Sequence, residues 1–88
     1  MNNNIENARK KIDLIDHEIM LLLKQRFDLC REIGKQKQQQ KMAITQQSRE
    51  DEVITNYIGH AKKLKLNLDF CKKLIHLILQ ESRDIQSQ

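Results

Sequence analysis

The 88-residue chain has no proline, no tryptophan and only two glycines. An all-β fold needs such residues for its many tight turns, so their scarcity argues for helices. The aromatics are Phe27, Tyr57 and Phe70 alone, too few for a platform that stacks the bases of a single-stranded nucleic acid. Charge of one sign is nowhere concentrated. Sixteen Lys and Arg against twelve Asp and Glu give a net charge of +4, but the acids are interspersed and no basic arm is formed. The longest unbroken apolar run, Ile19 to Leu23, is far too short to span a bilayer. The opening Met-Asn-Asn-Asn lacks the basic and apolar regions of a secretion signal, so the expected location is the cytoplasm.

Other absences narrow the chemistry. Cys30 and Cys71 form no CxxC and sit in apolar stretches, so both are read as reduced, buried, small hydrophobes. His17, His60 and His76 share no metal-ligand spacing and are read as surface or packing residues. No glycine-rich phosphate loop occurs. The length allows one domain, residues 1–88, and excludes barrels and two-domain dehydrogenases. An enzyme built on this chain must work without a metal, a nucleotide cofactor or an activated nucleophile.

What is present is helical periodicity. Ile5, Ala8, Ile12, Ile15, Ile19, Leu22, Leu29 and Ile33 recur at steps of three and four, with position 26 falling where another apolar residue belongs. This spacing predicts a helix with a narrow, coiled-coil-like seam from about residue 5 to about residue 40. Gly34 costs it about 1 kcal/mol relative to alanine without ending it. The glutamine-rich tract from Lys35 to Lys41 reads as the solvated end of that helix. Lys41 to Gln47 is a connector. Ser48 with Asp51 resembles a capping box opening a second helix over 48–64, with Val53, Ile54, Tyr57, Ile58, Ala61 and Leu64 on its apolar face. After a turn at Lys65 and Leu66, Asn67 caps a third helix carrying Cys71, Leu74, Ile75, Ile78, Ser82 and Ile85 on one side. Phe70 and Leu77 fall off that stripe, which suggests a helix burying two faces.

Length turns this pattern into an argument about assembly. A helix of about 35 residues spans roughly 50 Å. A compact chain of this size has a radius of gyration of about 12 Å. The first helix overshoots any globule the chain can form alone, and its seam calls for a second copy, so an obligate homodimer is expected.

The polar residues on apolar stripes are the most informative. Arg26 occupies the seam between Leu22 and Leu29. Lys37 lies about 20° from it around the helix and roughly 16 Å further along. Glu50 falls on the stripe of Ile54, Tyr57 and Ala61, while Ser82 and Gln86 continue that of Ile75 and Ile78. Each has an ordinary explanation: a snorkelling cation, a helix-dipole contact, a hydroxyl bonded to a backbone carbonyl, a frayed end. Together they are also what a polar, anion-binding pocket inside a helical bundle requires.

The ordered motifs resemble a known family. The run Ala8-Arg9-Lys10-Lys11-Ile12-Asp13-Leu14-Ile15-Asp16 is similar to the LRxxIDxID-like opening of the all-helical chorismate mutases. Leu22-Leu23-Lys24-Gln25-Arg26 resembles their LLxxR, and Ile33-Gly34-Lys35-Gln36-Lys37 their IGxxK. Arg49-Glu50 looks like the family's RE pair, and Ser82 to Gln86 like its C-terminal SxxxQ. The resemblance implies an all-α, intertwined homodimer of three-helix chains that converts chorismate to prephenate by a Claisen rearrangement, without a cofactor. It further implies that Arg26, and Arg9 from the other subunit, bind the two substrate carboxylates. Lys37 would bind a carboxylate and the ether oxygen, and Gln86 that oxygen from the opposite side. Glu50 would accept from the ring hydroxyl, with Ser82 and Arg49 in support at the carboxylate end.

Two positions depart from the family pattern. Gln46 stands where an acidic residue that binds the hydroxyl is frequent, which predicts weaker substrate binding. Ala43 stands where proline is common, which predicts a more mobile connector. Relatives that act as isochorismate-pyruvate lyases or rearrange 4-amino-4-deoxychorismate are the enzymatic alternatives. A basic helical dimer that binds nucleic acid is the non-enzymatic one, but it leaves Glu50, Ser82 and Gln86 unexplained.

Overall fold

A computed structural model describes residues 3–88. Met1 and Asn2, at the head of the N-terminal stretch read above, lie outside the described residues. Three helices account for the fold: α1 Asn3–Gln39, α2 Gln47–Leu64 and α3 Leu68–Gln86. The described residues contain no strand. All-α, three-helix architecture is therefore as the periodicity predicts, including a first helix of 37 residues unbroken by Gly34.

Helices α1 and α2 end in the same way. Lys41 and Lys65 adopt left-handed backbone angles, φ 54° and φ 57°. In the first, Met42 N–H donates to the Lys37 carbonyl at 2.8 Å and Lys41 N–H to Gln38 at 3.2 Å; in the second, Leu66 N–H donates to Ala61 at 2.9 Å and Lys65 N–H to Lys62 at 3.3 Å. This paired bonding is the Schellman motif, which satisfies the last carbonyls of a helix and normally uses glycine at the left-handed position. Here lysine fills it twice. Asn67 caps α3 as expected, its side chain accepting from Phe70 N–H at 2.8 Å. Ser48 does not cap α2. The helix opens at Gln47, and its cap residue is Gln46, whose side chain makes no capping bond. The Gln46 carbonyl instead accepts from the Arg49 and Glu50 N–H groups at 3.1 Å each, and Gln47 takes the partner foreseen for Ser48 by donating to Asp51 at 2.8 Å.

Helix α3 lies against both α1 and α2, which do not pack on one another among the described residues. Val53 from α2 and Ile75, Ile78 and Leu79 from α3 form the core, flanked by Leu23 and Phe27 of α1 and Ile54 and Tyr57 of α2. Only one face of α3 is buried: Phe70 and Leu77 are exposed, and so, marginally, is Leu74. The expectation of two buried faces fails within a single chain because α1 reaches α3 only through its C-terminal half.

The N-terminal half of α1 projects free. The molecule measures 62 × 24 × 15 Å with a radius of gyration of 16.8 Å, well beyond the value of about 12 Å for a compact chain of this length. Ile5, Ile12, Ile15, Ile19, Leu22, Leu29 and Ile33, the whole predicted seam apart from Ala8, are exposed large apolar residues. Covering each would contribute on the order of 1 kcal/mol, since about half of each side chain is still open to water. Among the described residues no helix is long and apolar enough to cross a membrane.

The left-handed lysines carry a stability prediction. A non-glycine residue in that conformation costs roughly 1 kcal/mol, and the Lys65 side chain is exposed. Lys65→Gly is expected to raise stability by about 0.5–1 kcal/mol, read from urea unfolding. A lower midpoint would overturn this account of the turn.

Candidate active site

The three helices and the connector surround a partly open cavity of about 500 Å³, within the usual range for small-molecule sites. Helix α1 supplies Arg26, Cys30 and Lys37, four and seven residues apart on one face, with Leu29 and Ile33 beside them. The connector adds Ile44 and Gln46, α2 adds Arg49, Glu50 and Val53, and α3 adds Leu79, Ser82, Arg83 and Gln86. Residues singled out from three separate stretches of sequence thus meet in one place.

Each polar group is held by a neighbour. Arg26 Nη1 donates to Ser82 Oγ at 2.6 Å, and Ser82 Oγ donates to the Ile78 carbonyl at 2.7 Å. Ser82 is therefore both satisfied by its own helix, as a buried hydroxyl should be, and a support for Arg26. Lys37 Nζ donates to the Ile44 carbonyl and to Gln86 Oε1, both at 2.7 Å. Lysine has three N–H donors and no acceptor, so this bond fixes the Gln86 amide with its oxygen towards Lys37 and its NH₂ free. One Lys37 donor also remains.

Glu50 is paired with a residue to which sequence reasoning gave no role. Arg83 Nη1 donates to Glu50 Oε1 at 2.7 Å, with the Glu50 side chain only 15% exposed. No pattern within α2 or α3 announces this contact, because it depends on how the two helices face each other. Cys30, also missed as a lining residue, was within reach of the α1 spacing. Arg49 lines the cavity but pairs with Glu52.

Four cationic side chains, Arg26, Lys37, Arg49 and Arg83, meet one carboxylate, Glu50, around this cavity. The excess is suited to a small dianion. Asp28, outside the cavity, has its carboxyl held below the ordinary value, first by the hydrogen bond from Lys24 and then by the Lys24 and Arg31 charges, against opposing desolvation. His17, His60 and His76 are exposed, and among the described residues no cluster of His, Cys, Asp and Glu is placed to hold a metal. Cys30 and Cys71 are free thiols, both buried.

One expected site residue is not at this cavity. Arg9 is exposed and pairs with Glu6 at 3.3 Å. It lies 17 residues, hence about 25 Å, from Arg26 along α1. Within a single chain it cannot reach the other lining groups.

Gly34 explains how α3 comes close enough. A Cβ there would lie 2.8 Å from both the Cα and the carbonyl oxygen of Gln86. The glycine lets the last turn of α3 rest directly on α1, which brings Gln86 to Lys37. The obstacle is backbone and cannot rotate aside, so Gly34→Ala is expected to lose about 1–3 kcal/mol to overpacking against a helix-propensity gain of about 1 kcal/mol. The net result should be destabilisation. Gly59, also helical, has nothing within 4 Å of an added Cβ, so Gly59→Ala should stabilise by about 0.5–1 kcal/mol. Opposite signs in urea unfolding test the assignment; equal stabilisation by both would sink it.

Comparison with known proteins bears on the whole cavity. No curated protein matches the sequence. The sequence model of the family described as chorismate mutase type II matches residues 8–87, a span that holds every lining residue and Arg9. A match over nearly the full chain, on an all-helical fold with a cation-rich cavity, shows that this protein belongs to the chorismate mutase type II family.

Proposed function

We propose that the protein, as a single domain over residues 1–88, rearranges chorismate to prephenate. This places it in the biosynthesis of phenylalanine and tyrosine. The observation that carries the reading is the Lys37–Gln86 pair, which presents one ammonium N–H and one amide NH₂ as unused donors at the same cavity wall. The reaction is intramolecular and asks for no cofactor. Its two demands are conformational and electrostatic.

The first demand is to hold a flexible dianion in its compact diaxial form, with the bond-forming carbons close together. Arg26, braced by Ser82, would bind one carboxylate. Glu50 would accept from the ring hydroxyl beside Gln46, whose amide replaces a stronger acceptor and weakens that end of the grip. Arg49 would support the carboxylate end. The second demand arises as the C–O bond lengthens and negative charge grows on the ether oxygen. Lys37 and Gln86 would donate to that oxygen, favouring the transition state over the ground state.

The active unit in this reading is an intertwined homodimer in the cytoplasm. Its support is the exposed apolar seam of α1, together with the position of Arg9 on the half of that helix that projects from the chain. Arg9 of a second copy would reach the carboxylate that Arg26 leaves free. Each site would then be shared.

The primary test is loss of the chorismate ultraviolet absorbance with prephenate as product. Release of pyruvate from isochorismate, with chorismate unchanged, would favour the lyase instead. Lys37→Ala is expected to lower kcat by about 10²–10³-fold or more; near-normal turnover removes Lys37 from the ether oxygen. Arg9→Ala and Arg26→Ala should each be inactive alone. Subunit exchange between them should restore about a quarter of the wild-type sites, because half the dimers become hybrids with one intact site. No recovery would argue against sharing.

A further inference from the structure

The Glu50–Arg83 pair has a consequence for which ring substituent the cavity accepts. In the free protein one oxygen of Glu50 is already bonded to a guanidinium at 2.7 Å, and the pair is partly shielded from solvent, with Glu50 15% and Arg83 37% exposed. The second carboxylate oxygen remains to accept a hydrogen bond. The neighbouring polar group from the connector, Gln46, is uncharged, and every other charged side chain lining the cavity, Arg26, Lys37, Arg49 and Arg83, is a cation. The end of the site that would hold the ring hydroxyl therefore offers an acceptor without a surplus of negative charge.

We infer that Arg83 is a positioning and specificity-determining residue: it orients Glu50 and neutralises it, so that the site favours a ring hydroxyl over a ring ammonium. The inference rests on the chorismate mutase reading above and deepens it. A hydroxyl is neutral and needs only an oriented acceptor, which a carboxylate fixed by a charge-assisted bond provides. An alkylammonium at the same ring position gains from the site only where a carboxylate with unspent charge lies beside it. Glu50 is the one carboxylate among the lining residues and its charge is already met by Arg83, so the ammonium would give up its hydration for little in return. Arg83 touches Glu50 and acts on substrate through it. This excludes the amine analogue by charge, where shape alone could not, since OH and NH₃⁺ are nearly isosteric.

The experiment compares kcat/KM for chorismate and for 4-amino-4-deoxychorismate in wild type, Arg83→Met, Arg83→Lys, Glu50→Gln and the Arg83→Met/Glu50→Gln double variant. Arg83→Met should lower kcat/KM for chorismate and raise the amine-to-hydroxyl ratio by about tenfold, the scale of one lost charge interaction. Arg83→Lys should keep the ratio within about threefold of wild type, because it restores the charge. With Glu50→Gln already present, Arg83→Met should move the ratio no further. A merely structural arginine would lower both rates together and leave the ratio where it was, which overturns the inference. A ratio shifted equally in the Glu50→Gln background overturns it too, because Arg83 would then act on the substrate directly. Arg83→Gln serves as the second uncharged variant should Arg83→Met fail to fold by circular dichroism. Wild-type protein that rearranges neither compound overturns the mutase reading and this one with it. Wild-type turnover with an unmoved ratio overturns this one alone.

Discussion

The contact between Gly34 and the backbone of Gln86 governs how the two longest-range parts of the chain meet. Helix α1 has almost no other means of bringing its backbone against the end of α3. A side chain at position 34 would push the last turn of α3 outwards, and the Lys37–Gln86 hydrogen bond of 2.7 Å spans no slack. The same approach sets the height at which Ser82, one turn earlier on α3, meets Arg26. A single missing methyl group thus aligns two polar contacts between helices that are far apart in sequence. The helix-propensity cost of glycine at mid-helix, about 1 kcal/mol, is offset by that alignment.

Around this contact the site is assembled from groups that restrain one another. Arg26 leans on Ser82, Lys37 on Gln86 and the Ile44 carbonyl, and Glu50 on Arg83. Among the described residues no buried side-chain nitrogen or oxygen lacks a partner. Such mutual bracing lowers the reorganisation needed when a ligand arrives. It also leaves spare donors on Lys37, Arg26 and Gln86, since each of these groups has more N–H bonds than partners.

Much of this was legible in the residues themselves, and the failures have physical causes. The three-and-four spacing of Ile12, Ile15, Ile19 and Leu22 identified α1 because a helix repeats about every 3.6 residues whatever its surroundings. Asn67 was legible as a cap because its partner, the Phe70 N–H, is local. Ser48 does not take the cap position because the capping-box pattern does not say which of several adjacent polar residues starts the helix, and here the helix opens at Gln47, whose side chain bonds Asp51. Arg26, Lys37, Glu50, Ser82 and Gln86 stood out as polar residues on apolar stripes, an anomaly visible along one helix. Arg83 lies beside such a stripe, where a charged residue is ordinary. Its role exists only across the α2–α3 interface, and periodicity within one helix carries no information about the helix opposite. Phe70 and Leu77 stay exposed in the single chain for a related reason, because a hydrophobic residue declares a preference for burial without naming what will cover it.

The two walls of the cavity are joined indirectly. Helices α1 and α2 each rest on α3 but not on each other, so the gap between Arg26 and Lys37 on one side and Arg49 and Glu50 on the other is set at a distance, through α3 and the connector. A dianion lying across that gap would be the first direct tie between the walls. Bound ligand would then act as a cross-brace of the bundle as well as its cargo, and occupancy of the cavity would be coupled to the rigidity and thermal endurance of the whole fold.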